Sequence, residues 1–384
     1  MMKRRDFLRL LPAGVLGLAA ANEWSGSAAG HEPSTQPGPG TAAGPGPHWI
    51  WSGPNLHETA DGWRRELERM KGAGIGAVLL TVYNGHRAFF RSRVAPVAAP
   101  RLEELLPLAR AAGLAVHGWM WTLPCNDPDI QARHPEWYVV NGRGESARTH
   151  PAYVPYYKFL CPNRAGVRDH LRNIVADLAA VAGLAGVHLD YIRYPDVILP
   201  VGLQPRYGIV QDREYPQYDY CYCEVCRRKF RESTGMTLDD LPRADVRAAW
   251  DRFRYDSITG LVNDVLAPEV RQRGRQLTAA VFPNWRNVRQ EWSRWRVDAV
   301  LPMLYHGFYN AGLDWVTART RAGRESLDPG VTLFSGLYVP HLAPEEVPAA
   351  LQAARAGGAA GVSLFDARAM SETHWRHFAT AARA

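Results

Sequence analysis

Gly186-Val187-His188-Leu189-Asp190-Tyr191-Ile192-Arg193-Tyr194-Pro195 reads as an apolar strand that runs out into polar and aromatic residues. Successive side chains of a strand point to opposite faces, so His188 and Asp190 share one face while Val187, Leu189 and Tyr191 share the other. Burying an unpaired carboxylate costs several kcal/mol, so Asp190 needs a partner, solvent or a function. The C-terminal rim of a parallel barrel meets that need, because barrel enzymes hold their chemistry where the strands end.

Working outward from this strand, short apolar runs alternate with longer stretches of helical period from His48 onward, the pattern of repeated βα units. Strands are expected near 48–52, 76–83, 114–121, 185–191, 276–283, 298–305, 331–338 and 360–365. Helices are expected between them, among others over 62–72, 102–112, 166–182, 247–272 and 344–356, with apolar residues at three and four spacing. Eight such strands predict an α/β fold, the (β/α)8 TIM barrel. Two βα connections, 122–162 and 194–242, exceed the usual length of about 2 to 6 residues, so the loops after strands 3 and 4 are expected to wall a groove.

The chain has 384 residues, 46% of them hydrophobic, with 13 Trp and 16 Tyr, which suits one large folded domain rich in aromatic rings. Lys3-Arg4-Arg5-Asp6-Phe7-Leu8 followed by an apolar stretch to Ala21 has the order of a twin-arginine export signal over 1–21. Residues 22–47, poor in large apolar side chains, are expected to be a Gly/Pro-rich disordered linker, leaving 48–384 as the barrel domain. Export to the periplasm or the exterior follows, without stable membrane insertion once the signal is removed. Loss of four basic residues and Asp6 with the signal lowers the formal charge from +7 to +4. That modest charge sits on arginines scattered among acids on helix faces, which excludes a nucleic-acid stripe and leaves the oligomeric state unread.

Five cysteines, Cys125, Cys161, Cys221, Cys223 and Cys226, leave at least one outside any intramolecular disulfide. Cys221, Cys223 and Cys226 are spaced to ligate zinc if Cys161, Cys125 or a histidine supplies the fourth group; a disulfide or a buried loop staple fits the same residues. In either case the cluster reads as structural, and no cofactor is required for the chemistry.

The strand ends bring Trp49, Trp51, Tyr83, His117, Trp119, Trp121, His188, Asp190, Asn284, Trp285, Tyr305, His306, Tyr338 and Asp366 towards one rim. Rings beside hydrogen-bonding groups suit a carbohydrate, which offers C–H faces to stack and hydroxyls to bond. Glycoside hydrolysis usually needs two carboxyl groups. Asp190 is the first candidate and Asp366 the second, with Asp127, Asp129, Asp196 and Glu224 further possibilities on the long loops. Arg193, if turned inward, would depress the pKa of Asp190 and favour a base or nucleophile over an acid.

The segments Phe159-Leu160-Cys161-Pro162-Asn163-Arg164, Gly186 to Pro195, Val116-His117-Gly118-Trp119, His134-Pro135-Glu136-Trp137, Cys221 to Phe230, Pro283-Asn284-Trp285-Arg286-Asn287 and Pro302-Met303-Leu304-Tyr305 together resemble the glycosyl-hydrolase-like "family 10" group of bacterial proteins. The resemblance spans about residues 48–366 and implies an exported TIM-barrel glycosidase with Asp190 in a catalytic position. Met303-Leu304-Tyr305 is also similar to the Met-x-Tyr motif of chitinase-type barrels. Ile192, however, stands where their catalytic glutamate would be, so their substrate-assisted mechanism does not carry over. The expected function is therefore carboxylate acid/base cleavage of a polysaccharide or glycan centred on Asp190. The alternative is a non-catalytic carbohydrate-binding barrel; a metal hydrolase using His117, His188 and Asp190 lacks an HxH or HExxH pattern.

Overall fold

Eight parallel strands close into a barrel in sequence order in the computed structural model, which describes residues 48–383. They are β1 (His48–Ser52), β2 (Ile75–Tyr83), β3 (Ala115–Trp121), β4 (Gly186–Asp190), β5 (Gln276–Val281), β6 (Ala299–Pro302), β7 (Thr332–Tyr338) and β8 (Gly361–Phe365). The outer helices are α1 (Ala60–Gly72), α2 (Arg101–Ala111), α3 (Pro128–Arg133), α4 (Ala165–Ala179), α5 (Glu224–Thr234), α6 (Ala244–Leu261), α7 (Ala267–Arg271), α8 (Leu313–Glu325), α9 (Val347–Ala356) and α10 (Glu372–Arg383). The expected (β/α)8 architecture is the observed one, while the expected export signal and linker lie outside the described residues. Among the described residues no helix is long and apolar enough to cross a membrane.

Alternation along the strands divides the core in two. Outward residues such as Val78, Leu80, Val187 and Leu189 pack with Leu67, Leu105, Leu171 and Ile174 of the helices, each worth about 1.5–3 kcal/mol when fully buried. Inward residues Trp49, Trp51, Leu79, Trp119, Leu301 and Phe334 fill the barrel itself. Trp49 stacks on Phe334 at 4.6 Å and meets His117 at a tilt, with centroids 4.4 Å apart. Gly186 makes room for this layer, because a Cβ there would lie 2.5 Å from His117 Nδ1 and 2.6 Å from the Gln276 carbonyl.

Two expected elements end differently. The single helix expected over 247–272 is divided by a π-helical turn at Val262–Leu266, where Ala267 N bonds Val262 O. Pro268 has no N–H and its ring crowds the carbonyl four residues back, and the wider turn relieves that crowding. β5 stops at Val281 because the Gln290 side chain takes over the ladder, accepting from Phe282 N at 2.8 Å and donating to Ala280 O at 3.3 Å.

Not every arginine lies on a solvated face. Arg254 is buried against Asp219 and Asp251, and Arg289 is buried against Glu214 at 2.7 Å, Asp219 at 3.3 Å and Asp251 at 3.3 Å. Burial opposes ionisation of Asp219, but Arg254 and Arg289 beside it outweigh that and hold its pKa below the usual carboxylate value. This network ties the loop after β4 to α6 and to the loop after β5.

Candidate active site

Asp190 ends β4 inside the mouth of the barrel, 9% exposed. Its Oδ2 accepts from Trp119 Nε1 at 3.0 Å and its Oδ1 from Tyr191 N at 2.7 Å. The chain turns at once: Tyr191 has φ of 51°, a left-handed conformation that costs a bulky residue about 1–3 kcal/mol and is tolerated where surrounding contacts enforce it. Those contacts are Trp121, with ring centroids 5.1 Å apart, and Tyr157 and Phe159 at 6.2 and 6.1 Å.

Arg193 does not reach into the mouth. It is 3% exposed, bonded through Nη1 to Asp196 at 2.9 Å and through Nη2 to the Tyr157 hydroxyl at 3.2 Å. Its guanidinium lies 4.7–5.7 Å from the ring centroids of Phe282, Tyr191, Phe159 and Tyr157. Its charge acts on the pKa of Asp190 in the expected, lowering direction, but it does not decide the net shift. Burial pushes that pKa up, and the bonds from Tyr191 and Trp119 and the more distant Arg193 oppose the rise without reversing it.

β8 stands opposite β4 in an eight-strand ring, and Asp366 directly follows the last residue of β8. Burial raises the pKa of Asp366 as well, against Arg368 and backbone amides, and its Oδ1 accepts from Arg368 N at 3.1 Å as the cap of a short helical turn. Tyr305 senses both acids: burial, then Asp190, Tyr338 and Asp366, lift its phenol well above the usual range. The floor of the mouth is a run of rings, Trp119 to Phe365 at 5.9 Å, Phe365 to Tyr305 at 6.0 Å and Tyr305 to Tyr338 at 5.1 Å. Trp121, half-buried, extends one wall towards Tyr156 at 5.7 Å.

The remaining expected site residues divide by position. Trp51, His117 and His188, each 1% exposed or less, lie within the barrel beneath the mouth, with His188 Nδ1 2.9 Å from Thr278 Oγ1. Tyr83 faces the helices: a register shift between Thr81 and Tyr83 pairs it with outward-facing Met120. Asn284 and Trp285 are half-buried on the loop after β5, where Trp285 meets Tyr255 at 5.1 Å, and His306 is half-buried after Tyr305. Of the other loop acids, Asp196 is taken by Arg193, Asp127 caps α3 and Glu224 pairs with Arg164. Two cavities of about 460 and 310 Å³ flank Trp137 on the loop after β3, and neither is lined by Asp190 or Asp366. Sequence reasoning passed over Tyr156 and Tyr157; their signal is the aromatic run Tyr153 to Phe159 inside a long loop.

Cys161, Cys221, Cys223 and Cys226 are all buried, and their sulfurs lie within 4.8 Å of one another, a group able to hold a metal ion. No disulfide is present among the described residues. Cys125 stands apart, its thiol pushed up to about 11 by burial.

No protein-family model matches this sequence, and no curated protein matches it. Solved structures share the fold. The PgaB (BpsB) glycoside hydrolase domain from Bordetella bronchiseptica superposes with a TM-score of 0.64 at 13% identity, over 84% of this chain and 94% of that one. The catalytic domain of β-amylase from Paenibacillus polymyxa gives 0.60 at 11% identity, over 87% and 97%. A catalytic mutant of Gan42B, a GH42 β-galactosidase from G. stearothermophilus, gives 0.62 at 13% identity, over 88% of this chain but 56% of that one. These neighbours are TIM-barrel glycosidases, and at such identities they establish the barrel alone.

Proposed function

We propose that this chain is an exported glycoside hydrolase in which Asp190 is the general acid and Asp366 the second carboxyl group. The observation that carries this reading is Asp190 itself, a carboxyl group held by Trp119 and Tyr191 in an aromatic mouth where burial raises its pKa. A carboxyl group whose pKa is raised is the better placed of two to protonate a leaving glycosidic oxygen, and a second carboxylate then activates water or attacks the sugar. Trp119, Phe365, Tyr305 and Tyr338 offer ring surface and phenol groups to the glycan, and Trp121 extends that surface along the wall. The glycosidase folds of the structural neighbours support the same reading.

The engagement of Asp366 as a cap favours a second reading, a carbohydrate-binding barrel without turnover. Release of reducing ends from a polysaccharide panel by native protein, Asp190→Asn and Asp366→Asn separates the two. Hydrolysis lost in both variants is the expected result. Equal rates in native protein and Asp190→Asn would sink the assignment, and binding without hydrolysis in all three would establish the second reading.

A further inference from the structure

We propose that Cys161, Cys221, Cys223 and Cys226 bind one zinc ion as a closed tetrathiolate centre that joins the two walls of the mouth. Cys161 Sγ lies 3.7 Å from Cys223 Sγ and 3.5 Å from Cys226 Sγ. A tetrahedron with Zn–S bonds of about 2.3 Å has edges of about 3.8 Å, whereas a disulfide needs about 2.05 Å. The sequence left the fourth ligand open between Cys161, Cys125 and a histidine; the geometry assigns Cys161, since neither alternative belongs to the group.

The surroundings suit thiolates. Val140 N donates to Cys221 Sγ at 3.4 Å and Asn163 Nδ2 to Cys226 Sγ at 3.3 Å, and Asn163 is itself held by Ser257 Oγ at 2.8 Å. Donors aimed at sulfur are the outer-shell partners that orient metal ligands and stabilise their charge. Cys223 is the N-cap of α5, an 11-residue helix whose positive end faces the cluster, and Arg164 lies close enough to feel the Cys223 charge. All four positions are protein sulfur and no residue of the set exceeds 4% exposure, so there is no open position for substrate: the centre is structural.

Its location gives it a task. Cys161 closes the loop after β3 just before α4, while Cys221 to Cys226 close the loop after β4 and open α5. Buried Tyr194, on the chain leaving Asp190, lies within electrostatic reach of Cys226, Cys161 and Cys221. One ion therefore fixes the far ends of both long loops. Binding displaces the thiol protons to solvent and forms four Zn–S bonds, with no change of oxidation state.

The inference is independent of the glycosidase reading and is tested without any glycan. Untagged native protein, purified without chelator, is analysed by plasma mass spectrometry and X-ray absorption; about one zinc per chain and four sulfurs at about 2.3 Å are expected. Cys125→Ser should keep full zinc content and Cys226→Ser should lose it. Because Cys226→Ser could fail to fold, native protein is also titrated with a mercurial thiol reagent while a chromogenic chelator follows release. Zinc should leave as the four cluster thiols are consumed, and Cys125→Ser should release the same zinc over four equivalents of reagent in place of five. Iron in place of zinc, a mass lowered by disulfide formation among these cysteines, or free thiols that take up no added zinc would each overturn the proposal.

Discussion

Replacing Asp190 by Asn should change how stability depends on pH in a direction fixed by burial. In the folded chain the Asp190 pKa lies above its ordinary value, so the native state holds a proton that the unfolded chain releases near pH 3.9. Native stability therefore falls as pH rises through the window between those two pKa values, and each unit of that window is worth about 1.4 kcal/mol. Asn carries no such term. It does carry an offset, since Trp119 Nε1 and Tyr191 N both donate to Asp190 and an amide offers a single acceptor oxygen. One unsatisfied buried donor costs about 1–3 kcal/mol at every pH. The stability of Asp190→Asn relative to native protein should thus start negative in acid and climb with pH before levelling off. Every other titrating group cancels in that difference. For a chain of this length about 1 kcal/mol corresponds to roughly 1–2 °C in Tm, so calorimetric scans at half-unit steps from pH 4 to 8 resolve the climb. A flat difference would show that burial does not raise this carboxyl group. A difference that falls with pH would mean that Asp190 is held ionised, and the general-acid role would go with it.

Arg193→Met should destabilise the protein by about 3–5 kcal/mol in urea titration, because it leaves Asp196 buried without its cation; adding Asp196→Leu should recover part of the loss. Acid should act through histidines: burial lowers His48, His117 and His170 to about 4, so the stability each provides is complete above pH 6.5 and lost as pH falls towards 4, by about 1.4 kcal/mol per pH unit and histidine. Proton uptake on unfolding, measured calorimetrically at pH 5.5, should drop by close to one in His117→Phe; an unchanged uptake would contradict the assignment. Trp121→Ala should weaken retention on a polysaccharide affinity gel by an amount corresponding to about 0.5–1.5 kcal/mol of ring contact, while Trp63→Phe, remote from the mouth, should not.

The barrel was legible because its strands speak twice. Outward runs such as Val78, Leu80 and Val82 give the helix-facing layer, and the inward pair His188 and Asp190 stands out against it. Tyr83 shows where alternation fails, since the bulge that turns it outward leaves no mark in residue type. Trp51, His117 and His188 were on the correct face, yet strand phase does not say how deep a residue lies, and layers below the rim are filled rather than open. Long-range polar partners were the least readable. Asp196 is three residues from Arg193, but Tyr157, Phe159 and Phe282 come from distant loops, and only folding reveals that the cation is enclosed. The cysteine spacing exposed three members of the cluster, and the fourth depended on which loop folds back.

The indole of Trp119 gives this site a built-in optical gauge. Its N–H is bonded to the carboxyl oxygen that titrates, so loss or gain of the Asp190 proton changes the electrostatic field on that ring directly. The emission of native protein minus that of Trp119→Phe, followed against pH, reads the charge on Asp190 in the unliganded protein. A glycan that seats against the same rings should displace the curve, so candidate sugars can be ranked by light before any bond is seen to break.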